Sequence, residues 1–88
     1  KDSWRAQRNI GRVYRKMGLI KKAVVHYKEA IKLNPFSAVI RNDLGGIYGM
    51  EGRYIDAIDE FHQALALDPH LDLAQTNLEQ ALQMLDKK

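Results

Sequence analysis

The sequence has no cysteine and only two prolines among its 88 residues. Without thiols there is no disulfide scaffold, no thiolate zinc or iron–sulfur site and no cysteine nucleophile, and this holds in any cellular compartment. Apolar runs are only a few residues long, too short for a membrane-crossing helix, and the opening residues carry no secretory-leader pattern. The chain begins with Lys rather than Met, as expected of an excised or processed piece. Serine is scarce: Ser3 and Ser37 are the only two, both at expected helix starts, where a hydroxyl serves as a cap.

What is present is a globular composition, 45% hydrophobic and 28% charged, in a chain small enough to bury only roughly 60–65% of its unfolded surface. The net charge of +3 hides a polarised distribution. Residues 1–37 hold ten Lys/Arg against two acids, and residues 38–88 hold four against nine. A basic end and an acidic end favour acidic partners or head-to-tail pairing of copies.

A shift of 34 residues superimposes Gly11 on Gly45, Tyr14 on Tyr48, Gly18 on Gly52, Ala23 on Ala57, Ala30 on Ala64, Leu33 on Leu67 and Pro35 on Pro69. Near matches share the register: Ile10 with Leu44, Val13 with Ile47, Tyr27 with Phe61. Within each copy apolar residues recur at helical spacing, in stripes such as Ile10, Val13, Tyr14 and Met17. Gly18 and Gly52 separate the stripes, and Asn34-Pro35 and Asp68-Pro69 close the copies. This pattern predicts five helices over about 4–17, 20–33, 38–51, 54–67 and 72–86. The fold class is therefore an all-α helix-turn-helix solenoid: one domain over 1–88, with a repeat at about 4–37, another at about 38–71 and a capping helix at about 72–86. In the last helix Glu79 stands where a third glycine would fall, and Gln80, Gln83, Asp86, Lys87 and Lys88 make it polar, as a solenoid end must be. Trp4 has no helix before it; it is covered by further sequence, or exposed to a partner, or folded over its own first turn and the next helix.

The sequence resembles the tetratricopeptide repeat (TPR) family through Ile10-Gly11, Tyr14, Gly18, Ala23, Tyr27, Ala30 and Pro35, and again through Leu44-Gly45, Tyr48, Gly52-x-Tyr54, Ala57, Phe61, Ala64 and Pro69. It departs at Gln7, where the family often has an aromatic, and at Ile20, where it often has tyrosine. The resemblance implies a protein-interaction module in which the first helix of each repeat lines a concave groove for a partner peptide or helix. By position the groove would present Arg5, Arg8, Asn9, Arg12 and Lys16, then Val39, Asn42, Asp43, Gly46 and Met50, then Leu73, Thr76, Asn77, Gln80 and Met84. The three-and-four spacing independently places each set on one helix face. Arg5, Arg8, Asn9, Arg12, Asn42, Met50, Asn77 and Met84 are the expected peptide contacts. Arginine forks suit carboxylates, and the methionines adapt to varied apolar side chains. Asn9 and Asn77 resemble the family's groove asparagines, which bind ligand backbone. Asn9 and Arg5 also fit the family's clamp for chaperone C-terminal carboxylates. Asp43, Leu73 and Asn77 depart from that clamp, and a looser acidic or phosphorylated segment remains open as the ligand. Gly46 and Gly49 point towards the groove and would admit a ligand backbone closely.

Catalysis is not expected. His26, His62 and His70 neither recur at the repeat spacing nor form a pair one turn apart, so no metal or other cofactor is implied. Gly45-Gly46-x-x-Gly49-x-x-Gly52 lies inside a helix with no strand before it, unlike a phosphate loop. Asp56, Asp59 and Glu60 read as a solvated acidic face. Nucleic acid is a minor rival, since the second half is acidic and few aromatics alternate with the arginines. The stronger alternative is a scaffold that assembles head to tail as a homo-oligomer, or a tether within a larger protein.

Overall fold

The computed structural model describes residues 3–87. They form α1 (Ser3–Lys16), α2 (Ile20–Leu33), α3 (Ala38–Met50), α4 (Tyr54–Leu67) and α5 (Asp72–Asp86), each packed against the next. The expected helices are all present, with α1 and α3 each ending one residue earlier than expected. Lys1, Asp2 and Lys88, which entered the charge reading, lie outside the described residues.

The two helix pairs turn in the same way for a backbone reason. Gly18 has φ +80° and Gly52 φ +75°, a left-handed conformation that costs glycine nothing. Leu19 N–H then donates to the Tyr14 carbonyl at 2.9 Å, and Arg53 N–H to the Tyr48 carbonyl at 2.9 Å, satisfying carbonyls that each helix end leaves open. Between repeats, Asn34 and Asp68 make the last helical bonds to Ala30 and Ala64, and the prolines that follow stop the ladder. Ser37 caps α3 as expected, its Oγ accepting from Ile40 N–H at 3.3 Å.

Small residues bring the helices together and aromatics fill what remains. Ala23, Ala30, Ala57 and Ala64 are fully buried, alongside Tyr27, Ile40, Leu44 and Ile47. A β-carbon on Gly11 would come within 3.0 Å of the Tyr27 ring, and one on Gly45 within 2.5 Å of the Phe61 ring. The repeated glycine is therefore the seat on which the second helix sets its aromatic. Trp4 is half-buried against the same core, with the Arg5 guanidinium 4.5 Å above its ring. Of the three placements, packing on the chain's own helices accounts for this partial burial.

Burial pushes the Tyr27 hydroxyl above its ordinary value of 10.0, and the negative charge of Asp43 adds to this, partly offset by Arg15, Arg8 and Arg12. The unfolded chain therefore releases this proton first as pH rises. Stability from Tyr27 is complete below about pH 10 and declines above it, and Tyr27→Phe should remove that decline from a denaturation series run between neutral and alkaline pH.

Candidate functional site

Two kinds of polar rung tie the helices together, and the 34-residue register makes the members of each kind equivalent. Within each pair of helices, His26 Nδ1 and Gln7 Oε1 are 2.7 Å apart, and Arg41 Nη1 donates to Glu60 Oε1 at 3.0 Å. Both pairs join residues 19 apart, and Arg41 and Glu60 stand 34 residues after Gln7 and His26. Between repeats, Arg8 Nε donates to Asp43 Oδ2 at 2.8 Å, and Asn77 Nδ2 donates to Asn42 Oδ1 at 3.1 Å. These join residues 35 apart, again at equivalent places. Gln7 thus departs from an aromatic because it bonds to His26, whose ring also stacks on Tyr14 with centroids 5.3 Å apart.

These rungs revise two expectations. Glu60 does not belong to a solvated acidic face: it is 9% exposed and paired with Arg41. Asn42 is 5% exposed and bonded to Asn77, which leaves little of its own surface open to a ligand. Arg8 is held by Asp43 and is an anchored cation, partly buried. Asn9 and Arg12 are exposed on α1, as is Arg5 beside Trp4. Met50 and Met84 are 59% and 41% exposed.

The structure brings Met50, Asn77 and Met84 together around one cleft of about 330 Å³ between α3 and α5. Gly45, Gly46 and Gly49 line its α3 side, and Gln80 and Ala81 its α5 side. Tyr54 and Phe61, which sequence reasoning did not place at a site, contribute from α4. No heavy atom of a neighbouring residue lies within 4 Å of where a β-carbon on Gly46 or Gly49 would sit, so both positions face open space. None of the residues lining the cleft carries a charge at neutral pH. Among the described residues no group of three His, Asp or Glu could hold a metal ion, and no helix is long and apolar enough to cross a membrane.

The helical repeat is matched by known proteins. The family model described as tetratricopeptide repeat matches residues 4–37. The structure superimposes on the Sgt2 TPR domain from Aspergillus fumigatus with a TM-score of 0.94 at 17% identity, covering 99% of this chain and 58% of that one. Residues 4–37 are thus matched as a tetratricopeptide repeat, and the chain has the TPR fold. The first TPR of Spaghetti (RPAP3), solved with the HSP90 peptide SRMEEVD, shares the TPR fold with a TM-score of 0.92 at 20% identity, over 96% of this chain and 67% of that one. Human protein O-mannosyl-transferase TMTC1 is 35% identical over 78 residues, or 89% of this TPR chain. The chain spans only 9% of that relative's length. Residues 23–88 also match the model described as Est1 DNA/RNA binding domain.

Proposed function

We propose that this TPR unit is a non-catalytic protein-interaction module whose concave face holds an extended partner segment carrying acidic groups. The observation that carries the reading is the open uncharged cleft between α3 and α5, whose Gly46 and Gln80 stand in register with the exposed Arg12 of α1, Arg5 lying two turns earlier on that helix. Guanidinium groups give carboxylates charge-assisted, paired hydrogen bonds, and the anchored Arg8 adds positive potential without having to be ordered on binding. The peptide-bound Spaghetti TPR domain supports peptide capture by this fold.

A second reading is favoured by the Est1 DNA/RNA-binding match, and places phosphates on the basic surface. Charge weighs against it: residues 23–88 hold six Lys/Arg against ten Asp/Glu, and most cations lie before them. Head-to-tail assembly would rest on the same polarity of charge.

An array of 12-residue peptides, SRMEEVD-containing sequences among them, tests the main reading by fluorescence anisotropy. Acidic peptides should bind better than their amide counterparts, and Arg5→Gln with Arg12→Gln should weaken them about tenfold, roughly 1.4 kcal/mol. Arg8 is left intact because replacing it also breaks the bond to Asp43. Indifference to the peptide carboxylates would reject the reading; preference for an oligonucleotide with a steep salt slope would install the second.

A further inference from the structure

We propose that the outward face of α2 docks on an anionic lipid bilayer, its lysines meeting the charged headgroups while Phe36 enters the interfacial layer beside them. This goes beyond the peptide reading, because it uses the second helix of the first unit and no residue of the groove.

α2 carries four lysines against one acid, the half-buried Glu29. Its core residues Ala23, Tyr27 and Ala30 are buried. At about 100° per residue, the positions pointing directly away from them are 21, 25, 28 and 32. Those positions hold Lys21, Val25, Lys28 and Lys32, all exposed. A rise of about 1.5 Å per residue spreads the three lysines over about 16 Å. Among the described residues, none of the three has an ion pair or hydrogen bond from its side chain. Lys22, beside the row, lies over the Tyr14 ring. Apolar side chains stand with these cations. Val25 is 63% exposed and Leu33 46%, and Phe36, just past the helix end, is 81% exposed.

The 34-residue register shows that this face belongs to the first unit alone. Its equivalents on α4 are Ile55, Asp59, His62 and Ala66, and His70 replaces Phe36. The α4 residues are exposed as well, although α4 packs against both α3 and α5. Neighbouring helices of the repeat therefore leave this row open to solvent.

The mixture of side chains selects the occupant. A partner helix laid along α2 would use the 4-3-4 row as its seam, and lysine fills three of its four places, where packing would strip water from the ammonium groups. At a headgroup surface the ammonium groups stay hydrated while their stems lie along apolar neighbours. Phosphate backbones of nucleic acid are matched best by arginine forks, and α2 has no arginine. A second copy of the chain has few acids to offer, since Asp43, Glu51, Asp56 and Glu60 are already held by arginines. An anionic leaflet meets both features: its negative surface potential attracts each lysine, and its interfacial layer takes up phenylalanine and leucine. Attachment of this size is reversible.

The test is co-sedimentation of the full chain with vesicles of phosphatidylcholine, with and without phosphatidylserine. Binding should require phosphatidylserine and weaken as salt rises. Lys21→Gln/Lys28→Gln/Lys32→Gln should lower the partition coefficient about hundredfold, roughly fivefold per lysine. Arg5→Gln/Arg12→Gln/Lys16→Gln removes the same charge from α1 and should lower it far less. All six positions are exposed, so circular dichroism should report native helix in both variants. Because the chain has no cysteine, Phe36→Cys and Ile55→Cys each carry a single environment-sensitive dye, and only the dye at 36 should shift to the blue on vesicles. Equal loss in the two triple variants would overturn the inference in favour of overall charge. Indifference to phosphatidylserine, or a dye at 55 that shifts as strongly as the one at 36, would overturn it too. If the natural chain ignores vesicles but binds a single-stranded oligonucleotide that the lysine variant loses, the row belongs to nucleic acid and the bilayer is refuted. Acidic peptides should bind the lysine variant and the natural chain alike, so failure of the bilayer reading leaves the groove reading standing.

Discussion

Gly45→Ala is expected to destabilise the protein by about 1–2 kcal/mol, whereas the same change at Gly46 or Gly49 stabilises it by about 0.5–1 kcal/mol. The three glycines lie within five residues on one helix, so propensity treats them alike and only packing separates them. At Gly45 the new methyl would lie 2.5 Å from Phe61 Cε1 and 2.7 Å from Cδ1. Phe61 is itself 3% exposed, so its ring must be pushed out of its packing towards the cleft that it lines, or α3 and α4 must part. Overpacking of that kind costs about 1–3 kcal/mol and outweighs the helical gain. At a slope of about 4–8 °C per kcal/mol for a chain of this size, thermal melts should show the melting temperature falling for Gly45→Ala and rising for its neighbours. Phe61→Leu in the Gly45→Ala background should recover part of the loss, a coupling that a double-mutant cycle reads directly. A Gly45→Ala protein as stable as Gly46→Ala would show that the ring is not seated as described.

Arg41→Met should be the most damaging of the polar substitutions, costing about 3 kcal/mol. It strands the Glu60 carboxylate, whose side chain is only 12% exposed, with no cation beside it. Replacing both partners, Arg41→Met with Glu60→Met, should return most of the stability, because a buried pair exchanged for apolar side chains of similar size is close to neutral. The Arg8–Asp43 rung offers the contrast. Its side chains are 28% and 23% exposed, water reaches them, and Arg8→Met should cost about 1 kcal/mol or less. Urea denaturation of the four proteins separates these cases. A double variant no more stable than Arg41→Met alone would mean that the pair contributes through more than mutual neutralisation.

Much of this fold is legible in the sequence because its determinants are residue types that recur. Gly18 and Gly52 must end helices, Pro35 and Pro69 must end repeats, and Gly11 and Gly45 must face an aromatic one helix later. These are constraints of shape, which only one or two residue types satisfy, and a 34-residue shift exposes them. The rungs are hidden from the same comparison. Gln7 with His26 and Arg41 with Glu60 occupy equivalent places, yet share no residue type. What recurs there is a satisfied polar pair, and satisfaction is a property of two residues together. A helix read alone therefore puts Glu60 in solvent, and only its pairing with Arg41 shows why it is buried. In α5 the corresponding Gln75 instead bonds to Glu79 one turn along, both exposed. The cleft was half legible. Met50, Asn77 and Met84 were placed by face, but Tyr54 and Phe61 enter from the second helix of the repeat, which a reading confined to first helices does not reach.

The rungs between repeats also mean that the two units are not interchangeable. Arg8 meets Asp43 and Asn42 meets Asn77, so the first unit offers a cation forward and the second an amide. Were the units transposed, Asn42 would face Asn9, and Arg8 would face Asn77 with no carboxylate to neutralise it. Duplicating the first unit would likewise set Arg8 against a copy of Asn9. Shape alone would accept any of these shuffles, since the glycine, aromatic and proline positions coincide. The junction chemistry accepts one sequence of units best, so the chain carries a grammar of order that its 34-residue metre does not reveal.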